Sequence, residues 1–395
     1  MTDVDQYLDR TEGSRPSSIT ATAGDQPLIL VTGASGKTGR TVVRTLREHG
    51  ARVRALVHRH DARSDLLTQW GAEVVAADIF DPLAVRAAMR GVSRLYYVPH
   101  FHPHMTDSAV NVATAAHAEG VEAIVGLSQW LASPLHPSLA TRQTWLVQRL
   151  FDMVPAASHT VVQPGYFADN YLAGLIGFAA QLGVLPVLAG DQRNAPPSNE
   201  DIGRVAAAIL LDPQPHAGRR YRPTGPALLS NTDIAAMVGH ALGRRVRPAP
   251  MPVWMMLKAL RATGGRVGLD TFQISQIRHY WTEGQRGTWE VHAPTTDVYD
   301  LTGRSPEDFA TIAARYATLP QARRTAGNLT RALWDFTRIG LTPRPALDRF
   351  VRTQQHPQPL TPELAADSVI WKREHREEQP ERERSVIDAI AKVAR

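Results

Sequence analysis

From Pro27 onward, short apolar runs alternate with stretches whose apolar residues recur every three or four positions. The runs predict strands at Leu28–Thr32, Arg52–Val57, Glu73–Ala77, Arg94–Val98, Glu122–Leu127 and His159–Val162. The intervening patterns predict helices at about Thr38–His49, at a segment ending before Gly71, at Pro82–Met89, at Asp107–Glu119 and at Ser138–Val154. Asp81 is an expected N-cap, while Gly91 and Gly120 are expected stops. Strands alternating with helices of this length give an α/β fold, a parallel sheet with helices on both faces and right-handed connections.

After Gly165 the alternation weakens. Helices are expected at Tyr166–Gln181, at Asp201–Leu211 before Asp212-Pro213 and at Asn231–Leu242 capped by Asn231 or Thr232, and Pro252–Thr263 is an apolar, Met/Trp-rich helical stretch with Gly264-Gly265 after it. Ser305-Pro306-Glu307-Asp308 reads as a helix start with proline at the first position. Leu333, Trp334, Phe336 and Ile339 predict one more helix. Lys372–Arg384 reads as a solvated charged face, and Val386, Ile387, Ile390 and Val393 fall at helical spacing. The expected organisation is a disordered polar tail (1–26), a first domain (27–165), a smaller α/β domain interleaved with it (166–318) and a helical extension (319–395). The extension is expected to pack on the body or on a second subunit, which makes a homodimer one arrangement to test.

The first strand runs into Gly33-Ala34-Ser35-Gly36-Lys37-Thr38-Gly39, and a helix pattern begins at once. The spacing G-x-x-G-x-x-G suits a dinucleotide turn. Gly33 allows a sharp bend, Gly36 lets a pyrophosphate approach bare main chain, and Gly39 lets the helix lie close to the strand. Ser35, Lys37 and Thr38 belong to the same turn. The helix that follows aims its free N–H groups and positive dipole end at the phosphates.

Composition narrows the class further. Apolar residues make up 43% of the 395, and there is no cysteine, so disulfides and thiolate chemistry are absent. Met1–Gln26 has no apolar segment of the secretory kind, and no apolar run approaches the roughly 18 residues that span a bilayer. A soluble, cytoplasmic protein without a membrane partner is the expectation. The net charge of +6 rests on arginines scattered among acids, so a mixed solvated surface is expected and a nucleic-acid partner is not.

In NAD sites a carboxylate about 20 residues past the glycines holds the ribose 2′-hydroxyl. Here the second strand ends in Val57-His58-Arg59-His60, and the next carboxylate is Asp61. His58 and Arg59, helped by Lys37 and Arg40, favour a 2′-phosphate, and so NADP(H) over NAD(H). Arg59 can also stack its flat guanidinium on an adenine. Asp78 either accepts a hydrogen bond from the adenine amino group or serves as a cap. Pro164 and Gly165, with Tyr166 and Phe167, follow the sixth strand and should face the nicotinamide and substrate.

The segments VTGASGKTGRTVVRTL (Val31–Leu46), VRALVHR (Val53–Arg59), GAEVVAADIFDP (Gly71–Pro82), VVQPGYFADNYL (Val161–Leu172) and DVYDLTGRSPEDFATIAARY (Asp297–Tyr316) resemble the NmrA-like family of atypical short-chain dehydrogenase/reductase proteins. The resemblance covers about Pro27–Tyr316 and is loosest from Leu175 to Thr295. It implies a doubly wound Rossmann domain, a small substrate-side domain and bound NADP(H). The family holds reductases of quinones or dyes, and also regulators that sense the dinucleotide without turning it over.

Short-chain dehydrogenases commonly use a Y-x-x-x-K pair for proton transfer, and none of the nine tyrosines here is followed by lysine at that spacing. The helix Ser138–Val154 holds neither residue. Its early cation, Arg142, stays charged and so suits binding the ribose or an anionic substrate better than moving a proton. Ser128, at the end of the fifth strand, is a candidate to bond a substrate oxygen, with Gln129 and Trp130 beside it. His100, His102 and His104 follow the fourth strand, where the nicotinamide end is expected, and their alternate spacing could place all three on one side. His100 and His102 are candidate proton donors. Pro103 interrupts that loop and no acid is fixed beside it, so no metal site is expected. The reading is an NAD(P)H-dependent reductase of a quinone-like or conjugated small molecule. The alternative is a dinucleotide-sensing protein that acts on a regulatory protein partner.

Overall fold

The computed structural model describes residues 26–376 apart from 189, 191 and 268. The expected amino-terminal tail and the helical spacing at 386–393 lie outside the described residues.

Strand β1 (Leu28–Val31) is buried at all four positions, as a strand covered by helices on both faces must be. It is followed by α1 (Lys37–Glu48), β2 (Arg52–Val57), helix Ala62–Gln69, β3 (Glu73–Ala76), helix Pro82–Met89, β4 (Arg94–Tyr97), helix Met105–Ala118, β5 (Ala123–Leu127), helix Leu139–Asp152 and β6 (Ser158–Val162). The sheet order is β3-β2-β1-β4-β5-β6, continued by the short strand Arg220–Tyr221, and every pairing within it is parallel. The order reverses direction between β1 and β4, so a crevice opens beyond their carboxyl ends. Leu30, Leu95 and Ile124 pack on one face of the sheet, and Ile29, Val31 and Val125 on the other.

Helix Asn199–Leu211 lies against α1 so closely that a Cβ on Gly203 would sit 2.6 Å from the Thr41 Cβ. This contact fixes α1, and with it the turn that precedes α1. Beyond β6, Val184–Leu188 pairs parallel with Arg247–Met251, and Arg193–Asn194 pairs antiparallel with Leu229–Ser230. A separate core there includes Leu172, Ile176, Ile234, Val238, Ile312 and Tyr316.

Several boundaries differ from expectation. Tyr166–Gln181 is two short helices, Asp169–Leu172 and Ile176–Leu182, separated at Gly174 with φ +79°. Helix Asn231–Ala241 is capped by Ser230, whose hydroxyl accepts from the Asp233 N–H, not by Asn231 or Thr232. Helix Val253–Val267 runs through Gly264-Gly265 without stopping. Pro306 does not open a helix either. That helix is Phe309–Ala317, with Asp308 as its cap.

The extension contributes helices Ala326–Leu341, Leu347–Thr353 and Val369–Arg376. The first packs on Ile176–Leu182 and Val253–Val267, and the second on helix Thr271–Gln285. Leu333, Trp334 and Phe336, which signalled the first of these helices, remain mostly exposed. Within the described part of the charged run, Lys372 and Arg373 are exposed as a solvated face requires, while Glu374 and His375 are buried. Among the described residues no helix is long and apolar enough to cross a membrane.

Candidate functional site

The turn after β1 has the backbone geometry a phosphate needs. Gly33 adopts φ +58°, which favours glycine. A Cβ on Gly39 would lie 2.3 Å from the Gly33 carbonyl oxygen and 3.0 Å from the Ala34 Cα, so α1 can approach β1 only with glycine there. Gly33 and Gly36 are exposed while Thr38 and Gly39 are buried, so bare main chain faces outward from a rigid base. Gly36 is the N-cap of α1, and no side chain caps the first turn. The N–H groups of that turn therefore point out of the helix without a capping partner, which is the arrangement that binds anions. These residues fit a dinucleotide pyrophosphate.

Thr32, which local pattern gave no reason to single out, ties the crevice together. It is fully buried; its Oγ1 donates to the Tyr96 carbonyl at 3.2 Å and accepts from the Val98 N–H at 2.8 Å, joining the ends of β1 and β4. Lys37 is not a free phosphate ligand. Its Nζ lies 2.6 Å from Asp169 Oδ2, so the segment after β6 is pinned to the turn. His58 and Arg59 are exposed at the end of β2, as a ribose-phosphate site requires. Asp78 is also exposed, with Oδ1 accepting from the Phe80 N–H at 2.9 Å in a local turn. The helix that follows, Pro82–Met89, is capped by Asp81 and not by Asp78.

The histidine loop is a correction in position. The rings of His100, His102 and His104 do lie on one side, with successive centroids 5.4 Å apart, and Phe80 stands against His100 and His102 at 6.0 and 5.3 Å. Phe80 follows β3, and His100 is in electrostatic reach of His58 and Asp78 after β2 and β3. The cluster therefore faces the adenosine end of the crevice, away from the expected nicotinamide end. His104 donates its backbone N–H to His102 Nδ1 at 3.2 Å, and this bond holds the loop in that bend. Burial lowers the His100 pKa, and the neighbouring imidazoles His102 and His58 lower it further. Among the described residues no three His, Cys, Asp or Glu side chains converge on a metal position.

The other end of the crevice lies beyond β5 and β6. Val98, Leu127 and Phe167, which follow or end β4, β5 and β6, are half-buried apolar residues packed on the core beneath. Ser128 is buried, and its hydroxyl accepts from Gln148 Nε2 of helix Leu139–Asp152, which leaves its own proton to donate elsewhere. Gln129 is held by Thr141 and Thr144 at 3.2 and 3.0 Å. Pro164 accepts the Trp130 N–H at 3.1 Å, and Gly165 lies against the Trp130 ring. Trp130 donates from Nε1 to the Thr288 carbonyl at 2.9 Å. Around it stand Tyr166, Tyr280 and Trp289, with Trp289 centroids 5.8 and 6.4 Å from the two tyrosines. Burial pushes the hydroxyls of Tyr166 and Tyr280 up to about 12, so both are neutral donors at ordinary pH. Tyr280 comes from a helix about 150 residues downstream of Gln129, and sequence pattern carries no signal of that meeting.

Arg142 is a second correction. Its guanidinium is buried and donates to the carbonyls of His136 and Pro357, so it holds the extension instead of facing a ribose or substrate. Desolvation pushes its pKa down to about 10, which still leaves it charged. Nearby, Glu283 is fully buried and collects donors from His136 Nε2 (3.0 Å), Thr288 Oγ1 (2.6 Å) and the N–H groups of Ala365 and Ala366. His136 Nδ1 accepts from the Ser138 N–H, so its proton sits on Nε2 and the ring is neutral. Burial alone would raise the Glu283 pKa, but the hydrogen bonds from His136, Thr288 and Ala365 outweigh it and lower it. Trp371 Nε1 donates to the Trp130 carbonyl at 2.7 Å, and Arg149 and Arg222 hold Glu374. The extension is thus built into the wall behind the aromatic residues.

Comparison with known proteins agrees with this geometry. Residues 33–213 match a family model described as NAD(P)H-binding. The chain is 30% identical over 238 residues to an NAD(P)H azoreductase of Xenophilus azovorans, covering 60% of this chain and 82% of that protein. It is 31% identical over 292 residues to a (4-alkanoyl-5-oxo-2,5-dihydrofuran-3-yl)methyl phosphate reductase of Streptomyces griseus, covering 73% and 98%. A crystal structure of an Escherichia coli NADPH-dependent quinone oxidoreductase with NADPH superimposes with a TM-score of 0.62 at 23% identity, over 72% of this chain and 98% of that one. With the glycine turn, the sheet order and these relatives in agreement, the chain belongs to the NAD(P)H-binding family of Rossmann proteins.

Proposed function

We propose that the protein is an NADPH-dependent reductase of quinone-like or other flat conjugated molecules. The observation that carries this reading is the aromatic cluster at the carboxyl ends of β5 and β6, on the same edge of the sheet as the exposed glycine turn, in which the partly exposed Tyr166 and Tyr280 pack on the buried Trp130 and Trp289. The two tyrosine rings are the ones a planar acceptor can reach and stack on. The exposed Arg59 and His58, in place of a carboxylate after β2, support NADPH over NADH.

Bound NADPH supplies the hydride. The chain's own residues bind and orient. The turn Gly33–Gly39 seats the pyrophosphate, and the apolar Val98, Leu127 and Phe167 keep water from the nicotinamide side. A conjugated acceptor gains a negative oxygen as it takes the hydride. Ser128 and Tyr280 carry neutral hydroxyls at that end of the crevice, and either can donate a hydrogen bond to such an oxygen without a Y-x-x-x-K pair.

The test is NADPH oxidation followed by absorbance with a panel of quinones, azo dyes and alkyl aldehydes. Decay with the planar acceptors and none with the aldehydes is expected. No decay with any acceptor, joined to different affinities for NADPH and NADP⁺, would instead establish the sensing role seen in part of the family.

A further inference from the structure

The glycine turn, the aromatic cluster and the buried Glu283 centre leave two imidazoles unused, those of His100 and His102, beside the His58 already placed at the end of β2. His100 and His102 come from the loop after β4 and meet Phe80 from the loop after β3, and His58 from the loop after β2 is in electrostatic reach of His100. His58 immediately precedes Arg59, at the position where the ribose hydroxyls of a dinucleotide are read. We propose that His58, His100 and His102 form an imidazole cradle for the ribose 2′-phosphate of NADP(H), and that binding this phosphate draws protons onto the cradle. The inference rests on the dinucleotide reading and adds to it a proton coupling and two phosphate-recognising residues.

The charges around the cluster set the direction. His100 faces His102 on its own loop, His58 from the β2 loop, Asp78 from the β3 loop and Asp270 from the start of helix Thr271–Gln285. His102 stacks on His104, whose Nδ1 lies 3.0 Å from Asp107 and which also faces His356. Partial desolvation and two like neighbours oppose the charge on His100 in the free protein and lower its pKa, although the residue is exposed. A phosphomonoester brings about −1.5 to −2 charge. Placed against the rings it reverses the balance, so the imidazole pKa rises and protons are taken from solution. Affinity for NADPH therefore grows as pH falls from about 8 toward 6. Further down, the phosphate takes up its own second proton, near pH 6, and the gain reverses. NADH lacks the phosphate and shows neither effect.

The experiment is calorimetric titration of the full chain with NADPH and with NADH, at about pH 7, in two buffers of different ionisation enthalpy. The difference in heat between buffers reports protons taken up per ligand bound. The expected result is a measurable fraction of a proton for NADPH, close to none for NADH, and a markedly smaller NADPH uptake in His100→Gln/His102→Gln, which keeps only His58 of the three rings. That variant should bind NADPH severalfold more weakly, and its affinity should gain markedly less as the solution is acidified. Its melting temperature in the absence of ligand shows whether the loop substitutions have harmed folding, and His58→Gln gives an independent second variant. Saturable NADPH binding with equal proton uptake in wild type and both variants overturns the cradle and leaves the dinucleotide site standing. Absence of saturable NADPH binding to the wild type overturns both.

Discussion

Replacing Gly39 by alanine would put a methyl carbon 2.3 Å from the Gly33 oxygen, 2.9 Å from the Gly33 carbonyl carbon and 3.0 Å from the Ala34 Cα. All three are backbone atoms, and none can swing aside as the end of a side chain can. Either α1 must move away from β1 or the turn must open. Overpacking of this kind costs about 1–3 kcal/mol, and the better helix propensity of alanine offsets at most about 1 kcal/mol. Gly36→Val is the informative partner. A Cβ at Gly36 would lie 3.1 Å from the Gly33 oxygen, a tight contact that a shift of a few tenths of an ångström relieves, and the backbone there is extended at φ −78°, so valine strains the fold far less than a side chain at Gly39 does. Its side chain would instead occupy the space above the first turn of α1, where the pyrophosphate belongs. The assay is thermal unfolding with and without NADPH. Saturation at about 100 Kd stabilises a binding-competent chain by about 2.7 kcal/mol. Gly36→Val should melt close to wild type without ligand and gain nothing from NADPH. Gly39→Ala should melt several degrees lower and also lose most of the ligand's effect. Normal NADPH stabilisation of Gly36→Val would refute the placement of the pyrophosphate, and a Gly39→Ala chain as stable as wild type would refute the packing argument.

Arg59→Glu should raise the Kd for NADPH at least about tenfold more than that for NADH, because it brings like charge to the 2′-phosphate; equal losses for the two would remove Arg59 from the phosphate site. Trp371→Ala removes a fully buried ring and its bond to the Trp130 carbonyl, at a local cost of about 3–5 kcal/mol. It should open the segment around 360–376 to limited proteolysis while NADPH affinity holds, and unchanged protease resistance would argue against the built-in extension. For Glu283 the sign follows from its lowered folded pKa. Its stabilisation is fully present above the unfolded value of about 4.5 and is lost as pH falls through the lower folded value. Glu283→Gln should therefore be less stable than wild type near neutrality, and its stability should fall less steeply in acid; parallel acid limbs would mean that the carboxylate is not charged in the fold.

Local chemistry made much of the nucleotide half legible. β2 and helix Pro82–Met89 have the expected bounds, since Asp81, Pro82 and Gly91 mark the helix within a few residues of its ends. The glycine turn was readable for the same reason. Errors arose where a single residue's conformation decides. Gly174, with positive φ, splits an apolar periodicity that looks continuous, whereas Gly264-Gly265 stays helical despite two poor helix formers. The substrate half was mostly illegible because its contacts are distant in sequence. Tyr280 reaches Gln129, Glu283 reaches His136 and Ala365, and Trp371 reaches Trp130, none with a local signal. Arg142 shows the cost of arguing from residue type alone: a lone cation early in a helix near the site proves to be a strut for Pro357.

The most direct test of the account is a crystal structure of the full chain grown with NADPH. The account predicts the pyrophosphate over Gly36 and the first turn of α1, the 2′-phosphate beside Arg59 and the imidazoles, and the nicotinamide turned toward Trp130 and Tyr166. Density for the dinucleotide anywhere else, or with its adenosine at the β5–β6 end, would contradict it.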